Sequence, residues 1–414
     1  MLGSMLFLSH GYVDKLKKQC RSFLLSIAGR PLFFLSSIVV LMTRKRRTLP
    51  SCKTLLVIRL DNLGDYCLFR NFLQPLRETY ADYEITLVCN AAYYEIVQAC
   101  DAAYLDHIIP VDISRWYSYI HGFFYHLKIL YQLSCKSYTT ILVPLRRRSI
   151  WADDYLARFL PASHKICTQE VHLPHDPYNM FNDPTFYTTM IDTSFAPLFE
   201  FDRNKYVFSQ LLGKPLTEIT YHLDLSSLPK DFSLPCPEKY GVFVLGASSP
   251  RRKWALTSWI QLAQKIDPSF KVVLCGTAGE VLEGAKIERS CPRVLNLVRK
   301  TSLLELVHVL SRASFIVSTE SGVPHLAMAL GLGPVFVISN GNGLGYFVPY
   351  PQHLTNTDYH VIYHPEIEAL LQTPHGFGRC MEAYKDNRLD LRISHPEFAK
   401  RVAEKMFPDF VKDI

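Results

Sequence analysis

Three stretches of this chain combine carboxylates, hydroxyls, cations and glycines in ways that suit an anionic ligand. The densest is FIVSTESGVPHLAMALG, residues 315–331. Its apolar run Phe315–Val317 gives way to a polar turn containing Glu320, Ser321 and Gly322, and then to an Ala- and Leu-rich run ending at Gly331. That pattern predicts strand, tight loop and helix. Ser321 is a natural N-cap, Gly322 lets another group approach the backbone, and Pro324 falls in the first turn, where its missing N–H costs nothing. Such a helix start offers amides and a positive dipole end to an anion. The plain alternative is an α/β crossover with no ligand, and a lone His325 on an apolar helix is more often a satisfied core residue.

In RLDNLGDYCLFRNFLQPLR, residues 59–77, a strand ending at Leu60 is followed by a loop that carries Asp65. A carboxylate there could take a proton from a hydroxyl, or it could simply cap the next helix, as could Asp61. In VLGASSPRRKWALTSWIQLA, residues 244–263, small hydroxyl residues including Ser248 precede Arg251-Arg252-Lys253, a composition that suits a phosphate group or a solvated helix start. In LCGTAGE, residues 274–280, Glu280 could accept from ribose hydroxyls. Arg146, Arg147 and Arg148 follow the strand TTILVP and could pair with a phosphate or acidic sugar, or form a solvated loop. His172 and His175 lack a third ligand, so no metal is expected.

These residues need elements to hold them. Short apolar runs alternate with amphipathic ones at 54–60, 66–80, 84–89, 91–99, 108–111, 120–133, 139–144 and 149–160. The rhythm lapses between Thr168 and Pro237, apart from one helix at Arg203–Leu212. It resumes with strands at 240–246, 271–276, 294–298, 315–318 and 334–338 and helices at 254–266, 281–285, 303–312 and 322–330. Strands alternating with helices imply two parallel sheets, each covered on both faces. The expected segments are an N-terminal one at 1–50, a Rossmann-like domain at 51–200, a linker at 201–239, a second Rossmann-like domain at 240–362 and a helical region at 363–414. Chemistry is expected in a central cleft, at the carboxyl ends of the strands. Neither half carries G-x-G-x-x-G after its first strand and there is no G-x-x-x-x-G-K-[ST], which disfavours a dehydrogenase or a P-loop enzyme.

At 414 residues, 48% hydrophobic and 20% charged, the chain has material for two cores. Eleven cysteines scattered without a C-x-x-C pair suit a reducing compartment. The formal charge of +7 is localised: residues 1–50 hold nine Lys and Arg against Asp14, a net of +8, so the remainder sums to −1. A near-neutral body argues against nucleic-acid binding. Residues 23–42 are apolar apart from a few serines and the central Arg30-Pro31, and Arg44-Lys45-Arg46-Arg47 follow, which fits two pieces lying in a membrane interface better than a spanning helix. A helical hairpin packed on the protein is the other option, and a cleaved signal peptide is disfavoured.

From about Thr54 to Tyr350 the chain resembles glycosyltransferase family 9, the ADP-heptose:lipopolysaccharide heptosyltransferases and their relatives. The family's R-x-D-x-x-G-D appears as Arg59 to Asp65, its G-A-S then basic-Trp as Gly246-Ala247-Ser248 with Lys253-Trp254, and its D-T-G-x-x-H-L-A as Glu320-Ser321-Gly322 to Ala327. The resemblance implies a GT-B fold and inverting, metal-independent transfer of a sugar, heptose from ADP-heptose, to lipopolysaccharide or another lipid-linked glycan. No cofactor beyond the nucleotide-sugar donor is implied, and the place of action is the inner face of a bacterial cytoplasmic membrane. By the same likeness Asp65 is the general base. Ser248 and Lys253 contact the donor diphosphate, Ser321 and Gly322 receive it on their amides, Glu280 holds the nucleoside, and His325 stands near the diphosphate. Acceptor binding would fall to Arg146, Arg147 and Arg148. Glu320 and Ser321 replace the family's Asp and Thr, and the glycine usual before Thr301-Ser302-Leu303 is missing. A GT-B nucleotide-sugar epimerase, or an inactive nucleotide-sugar-binding assembly protein, are the alternative readings.

Overall fold

The computed structural model describes residues 52–118, 121–149, 151–169, 184–224, 226, 238–354, 357–385, 389–393, 396–406 and 409–412. The basic N-terminal segment, His172 and His175 lie outside them.

Among the described residues twelve strands form two sheets. β1 (Lys53–Arg59), β2 (Tyr83–Asn90), β3 (His107–Val111), β4 (Tyr138–Val143), β5 (Ala162–Thr168) and β6 (Thr189–Ile191) run in the order β3-β2-β1-β4-β5-β6. β7 (Tyr240–Val244), β8 (Lys271–Cys275), β9 (Val294–Asn296), β10 (Phe315–Thr319), β11 (Val335–Ser339) and β12 (Tyr359–Tyr363) run in the order β12-β11-β10-β7-β8-β9. Central pairs are parallel, with Leu55 opposite Ile85 and Ile316 opposite Val242. The inner strands are buried along their length, as β7, β10 and β11 show, because helices cover both faces of a parallel sheet.

The helices, in chain order, are α1 (Leu63–Cys67), α2 (Leu73–Thr79), α3 (Ile113–Trp116), α4 (His121–Ser134), α5 (Asp153–Phe159), α6 (Glu200–Leu212), α7 (Leu256–Lys265), α8 (Val281–Ser290), α9 (Leu303–Ser311), α10 (Gly322–Ala329), α11 (Pro365–Leu371), α12 (Gly376–Lys385) and α13 (Pro396–Met406). Short helical turns fill Ala91–Tyr104 and Pro250–Arg252. The helix expected over 66–80 is two helices, and Pro75 explains the break. An uninterrupted helix would set its ring against the carbonyl of Asn71, whereas a restart at Leu73 puts Pro75 in a first turn. β5, β6 and β12 were not anticipated; β5 is half exposed and interrupted by His164 and Lys165, which hides its period.

Compactness divides the described residues into two units. One takes those of 1–60, 82–91 and 109–190; the other takes those of 61–81, 92–108 and 191–414. The line therefore falls elsewhere than the expected boundary at residue 200, because the stretch after β1 packs with the later part of the chain. The first unit's core gathers Leu56, Ile58, Trp116, Leu133, Ile141 and Leu156. That of the second gathers Phe243, Trp259, Leu274, Phe315, Val317 and Val402.

Candidate active site

Each sheet has the strand order 3-2-1-4-5-6 when its strands are numbered from its own first, so its crossover direction reverses between the first and fourth strands. At that point the outgoing loops part and leave room at the carboxyl edge. In the second sheet the point lies between β7 and β10, and the loops leaving it carry Gly246-Ala247-Ser248 and Glu320-Ser321-Gly322. Thr319 Oγ1 ties them by donating to Gly246 O at 2.8 Å.

α10 begins where the sequence predicts it. Ser321 is the N-cap in an extended conformation, but its hydroxyl makes no capping bond; its Oγ lies 3.4 Å from Ser318 Oγ. The Gly322 and Val323 N–H groups, which have no intrahelical acceptor at a helix start, stay available at half-buried positions.

α1 packs against this start. A Cβ on Gly322 would come within 2.8 Å of Leu63 Cβ and 3.1 Å of Gly64 N, and a Cβ on Gly64 within 2.6 Å of His325 Cδ2. Both glycines are therefore required by close approach rather than by backbone angle. Asp65 is the third residue of α1, half-buried, and not in a loop before it; the N-cap is Asn62, which makes no side-chain bond. The two positions the sequence treats separately, 65 and 321–322, thus belong to helix starts in contact.

His325 is 6% exposed and its protonation is pushed down to about 3, by burial and then by the Arg252 charge. Its Nδ1 is 2.6 Å from Tyr350 Oη, Tyr350 donates to Tyr221 Oη at 3.1 Å, and Tyr221 donates to His325 O at 2.5 Å. Every hydroxyl proton is used only if Nδ1 carries the ring proton, which leaves Nε2 as an acceptor. A neutral imidazole adds no positive charge to a bound anion, and its Nε2 can only accept from an N–H or O–H.

The cations also differ from expectation. Lys253 Nζ lies 2.5 Å from Glu280 Oε1 and 3.4 Å from Gly279 O. Glu280 Oε2 accepts from Thr277 N and Oγ1, each at 2.8 Å, completing a capping box. Burial pushes the Glu280 carboxyl up, but Lys253 and Thr277 together hold it below the usual range. At 3% exposure, with Lys253 on one oxygen and Thr277 on the other, Glu280 braces its loop. Arg252, the middle of the three cations, is the more central: it donates to Ser248 Oγ and its Nη1 is 4.0 Å from Glu320 Oε1. Its signal was the Gly-Ala-Ser turn four to six residues before it.

Glu320 is 3% exposed and turned inward. Ser339 Oγ donates to its Oε2 at 2.6 Å, and a Cβ on Gly343 would meet Oε1 at 2.1 Å. Burial raises its protonation, opposed by Ser339, Arg252 and the Gly343 amide. It fastens the 339–343 loop and presents no oxygen outward.

In the first unit the reversal lies between β1 and β4, and the loop after β4 holds the three arginines. Arg148 is buried: Nε donates to Asp154 Oδ1 at 2.9 Å, Nη1 to Thr168 O at 2.5 Å, and the guanidinium lies 5.4 Å from the Tyr187 ring centre. It is excluded from acceptor binding by these commitments, whereas Arg146 is half-buried and Arg147 exposed. Among the described residues no group of three or more His, Cys, Asp or Glu is placed to hold a metal, and no helix is long and apolar enough to cross a membrane.

Known structures share this architecture. A glycosyl transferase family 9 structure from Veillonella parvula superposes with TM-score 0.60 at 17% identity, over 86% of this chain and 97% of its own. The E. coli heptosyltransferase WaaC with ADP gives TM-score 0.57 at 19% identity, over 80% of this chain and 99% of its own. E. coli ADP-heptose lps heptosyltransferase II gives TM-score 0.51 at 19% identity, over 80% and 98%. At such identities these likenesses speak to fold, and it is the GT-B class, two six-stranded parallel α/β sheets. No curated protein matches the chain. The family model glycosyltransferase family 9 (heptosyltransferase) matches residues 155–335, a span that includes Ser248 to His325 and leaves out Asp65. Over that span the chain is similar to glycosyltransferase family 9, and its fold is that of the GT-B class.

Proposed function

We propose that the protein is an inverting glycosyltransferase that moves heptose from ADP-heptose to a lipopolysaccharide or other lipid-linked glycan, working at the inner face of a bacterial cytoplasmic membrane. The supporting observation is the contact between the starts of α1 and α10, which brings the residue before Asp65 against the residue whose amide opens an anion site. An acceptor hydroxyl attacks the donor's anomeric carbon and gives its proton to Asp65. The bond from that carbon to the diphosphate oxygen breaks, and the leaving diphosphate keeps the electron pair. Gly322 and Val323 amides, Ser248 and Arg252 stabilise the developing charge, with Lys253 at the margin; each such donor contributes about 3 kcal/mol. His325 Nε2 accepts from a substrate hydroxyl. Arg146 and Arg147 are the remaining acceptor-side cations, and residues 1–50 bring the protein to the membrane. The ADP and ADP-heptose named with the E. coli heptosyltransferase WaaC structures support this choice of donor.

The test is turnover of a nucleotide-sugar panel with a lipid-linked acceptor. Nucleoside diphosphate release should require acceptor, prefer ADP-heptose and vanish in Asp65→Ala. Release that persists in that variant removes Asp65 as the base, and release from another donor alone removes ADP-heptose.

A further inference from the structure

α4 breaks the usual division of a surface helix. Its inner side is ordinary core: His126, Ile129, Leu130 and Leu133 are buried, with the His126 ring 3.7 Å from that of Trp116. Its outer side, where polar residues are expected, carries Phe124 at 75% exposure, Lys128, and Tyr131 at 59%, spaced i, i+4 and i+7 along one stripe. Beside the helix Tyr117 is 45% exposed and the Arg115 side chain 70%. The sequence of α4, HGFFYHLKILYQLS, contains no carboxylate. Aromatic rings flanking a lysine suit the boundary between lipid headgroups and acyl chains, where the rings sit at headgroup depth and the ammonium reaches outward.

The charge around the stripe identifies the occupant. Thr54 Oγ1 donates to Ser137 O at 3.0 Å, three residues past the end of α4, and Thr54 N donates to Thr139 Oγ1 at 3.1 Å. Cys52 and Lys136 meet the same carboxylate, Glu84, at 3.9 and 2.5 Å. Cys52 and Thr54 therefore lie close to the end of the helix that carries the stripe, and residues 1–50, which precede them in sequence, hold a net +8. Two groups of like sign do not complement each other, so a segment of net +8 is a poor partner for Lys128; an anionic bilayer complements it. The nearby acids are occupied: Glu84 is paired with Lys136, Asp82 with Lys53, and Asp112 with Arg115.

We propose that the outer face of α4 rests on anionic phospholipid, Phe124 and Tyr131 entering the interface and Lys128 meeting headgroup phosphates, as a second contact beside residues 1–50. This is independent of the chemistry at Asp65. The full chain is sedimented with vesicles of phosphatidylcholine containing phosphatidylglycerol, and with phosphatidylcholine alone. The triple variant Phe124→Ser, Lys128→Gln, Tyr131→Ser, folded by circular dichroism, should bind the anionic vesicles about tenfold more weakly. Equal binding overturns the proposal. In Phe124→Trp, the added emission should shift to the blue on contact with anionic vesicles. Emission that never moves overturns it. Emission already blue without lipid assigns the face to the chain itself, and emission that turns blue with protein concentration assigns it to a second copy; both outcomes also overturn it.

Discussion

Two runs of three cations, Arg146-Arg147-Arg148 and Arg251-Arg252-Lys253, each follow a strand at the point where its sheet reverses direction, yet they are used differently. In the first, the last residue is withdrawn into the interior by Asp154 and Thr168 O. In the second, the last residue is held at the rim by Glu280, and the middle one, Arg252, stays beside Ser248 and the α10 start. A buried acid decides in both cases which cation is taken out of service. The pairing is decisive because a guanidinium or ammonium leaves water only with compensation, and the nearest buried carboxylate captures it.

That comparison can be broken at four places, taken from the largest expected effect down. Arg148→Met strips the partner from a buried Asp154, which then shares only the Tyr187 hydroxyl; urea unfolding should show a loss of about 3–5 kcal/mol. A loss below 1 kcal/mol by the same measurement removes the contrast. Arg252→Ala should lower kcat/KM about a hundredfold, about 2.7 kcal/mol, with the unfolding midpoint nearly unchanged. An unchanged rate assigns Arg252 to the solvated surface. Lys253→Ala should cost about 1–2 kcal/mol, less than the Arg148 change because the Lys253 side chain is 26% exposed. Its signature is in the pH profile. Glu280 is held below the usual carboxyl range, so its contribution is present at neutral pH and above, and is lost as pH falls through the ordinary Glu range toward the lowered value. The variant should lose that part of the acid limb; an identical limb in variant and parent contradicts the pairing. Arg147→Ala should change stability by less than about 0.5 kcal/mol and raise only the acceptor KM.

The same comparison shows where the sequence is readable. Strands β1, β2, β4, β7, β8, β10 and β11 announce themselves as apolar runs because both faces of a parallel sheet are covered. The α10 start is legible because cap, glycine and proline are contiguous. β6 and β12 carry no such run, since β6 is three largely exposed residues and His360 interrupts β12. The helix restart before Pro75 was marked by that proline, although an amphipathic period ran across it. At the site, the helix starts that carry Asp65 and Ser321 were legible through motifs. The fates of Lys253, Glu280, Glu320 and Arg148 were not, because each is set by a partner many residues away or by a close approach of glycine to a carboxylate. Spacing along the chain records local geometry well and records non-local pairing poorly.

The circuit from His325 through Tyr350 and Tyr221 returns to the same residue's own carbonyl. Side chain and backbone of one amino acid are thus the two terminals of a single loop, and swinging the imidazole by half a revolution would open it at the Nδ1 link to Tyr350. The ring behaves as a keyed part: it seats in one sense only, so the unprotonated nitrogen keeps its address through repeated rounds of substrate entry and release.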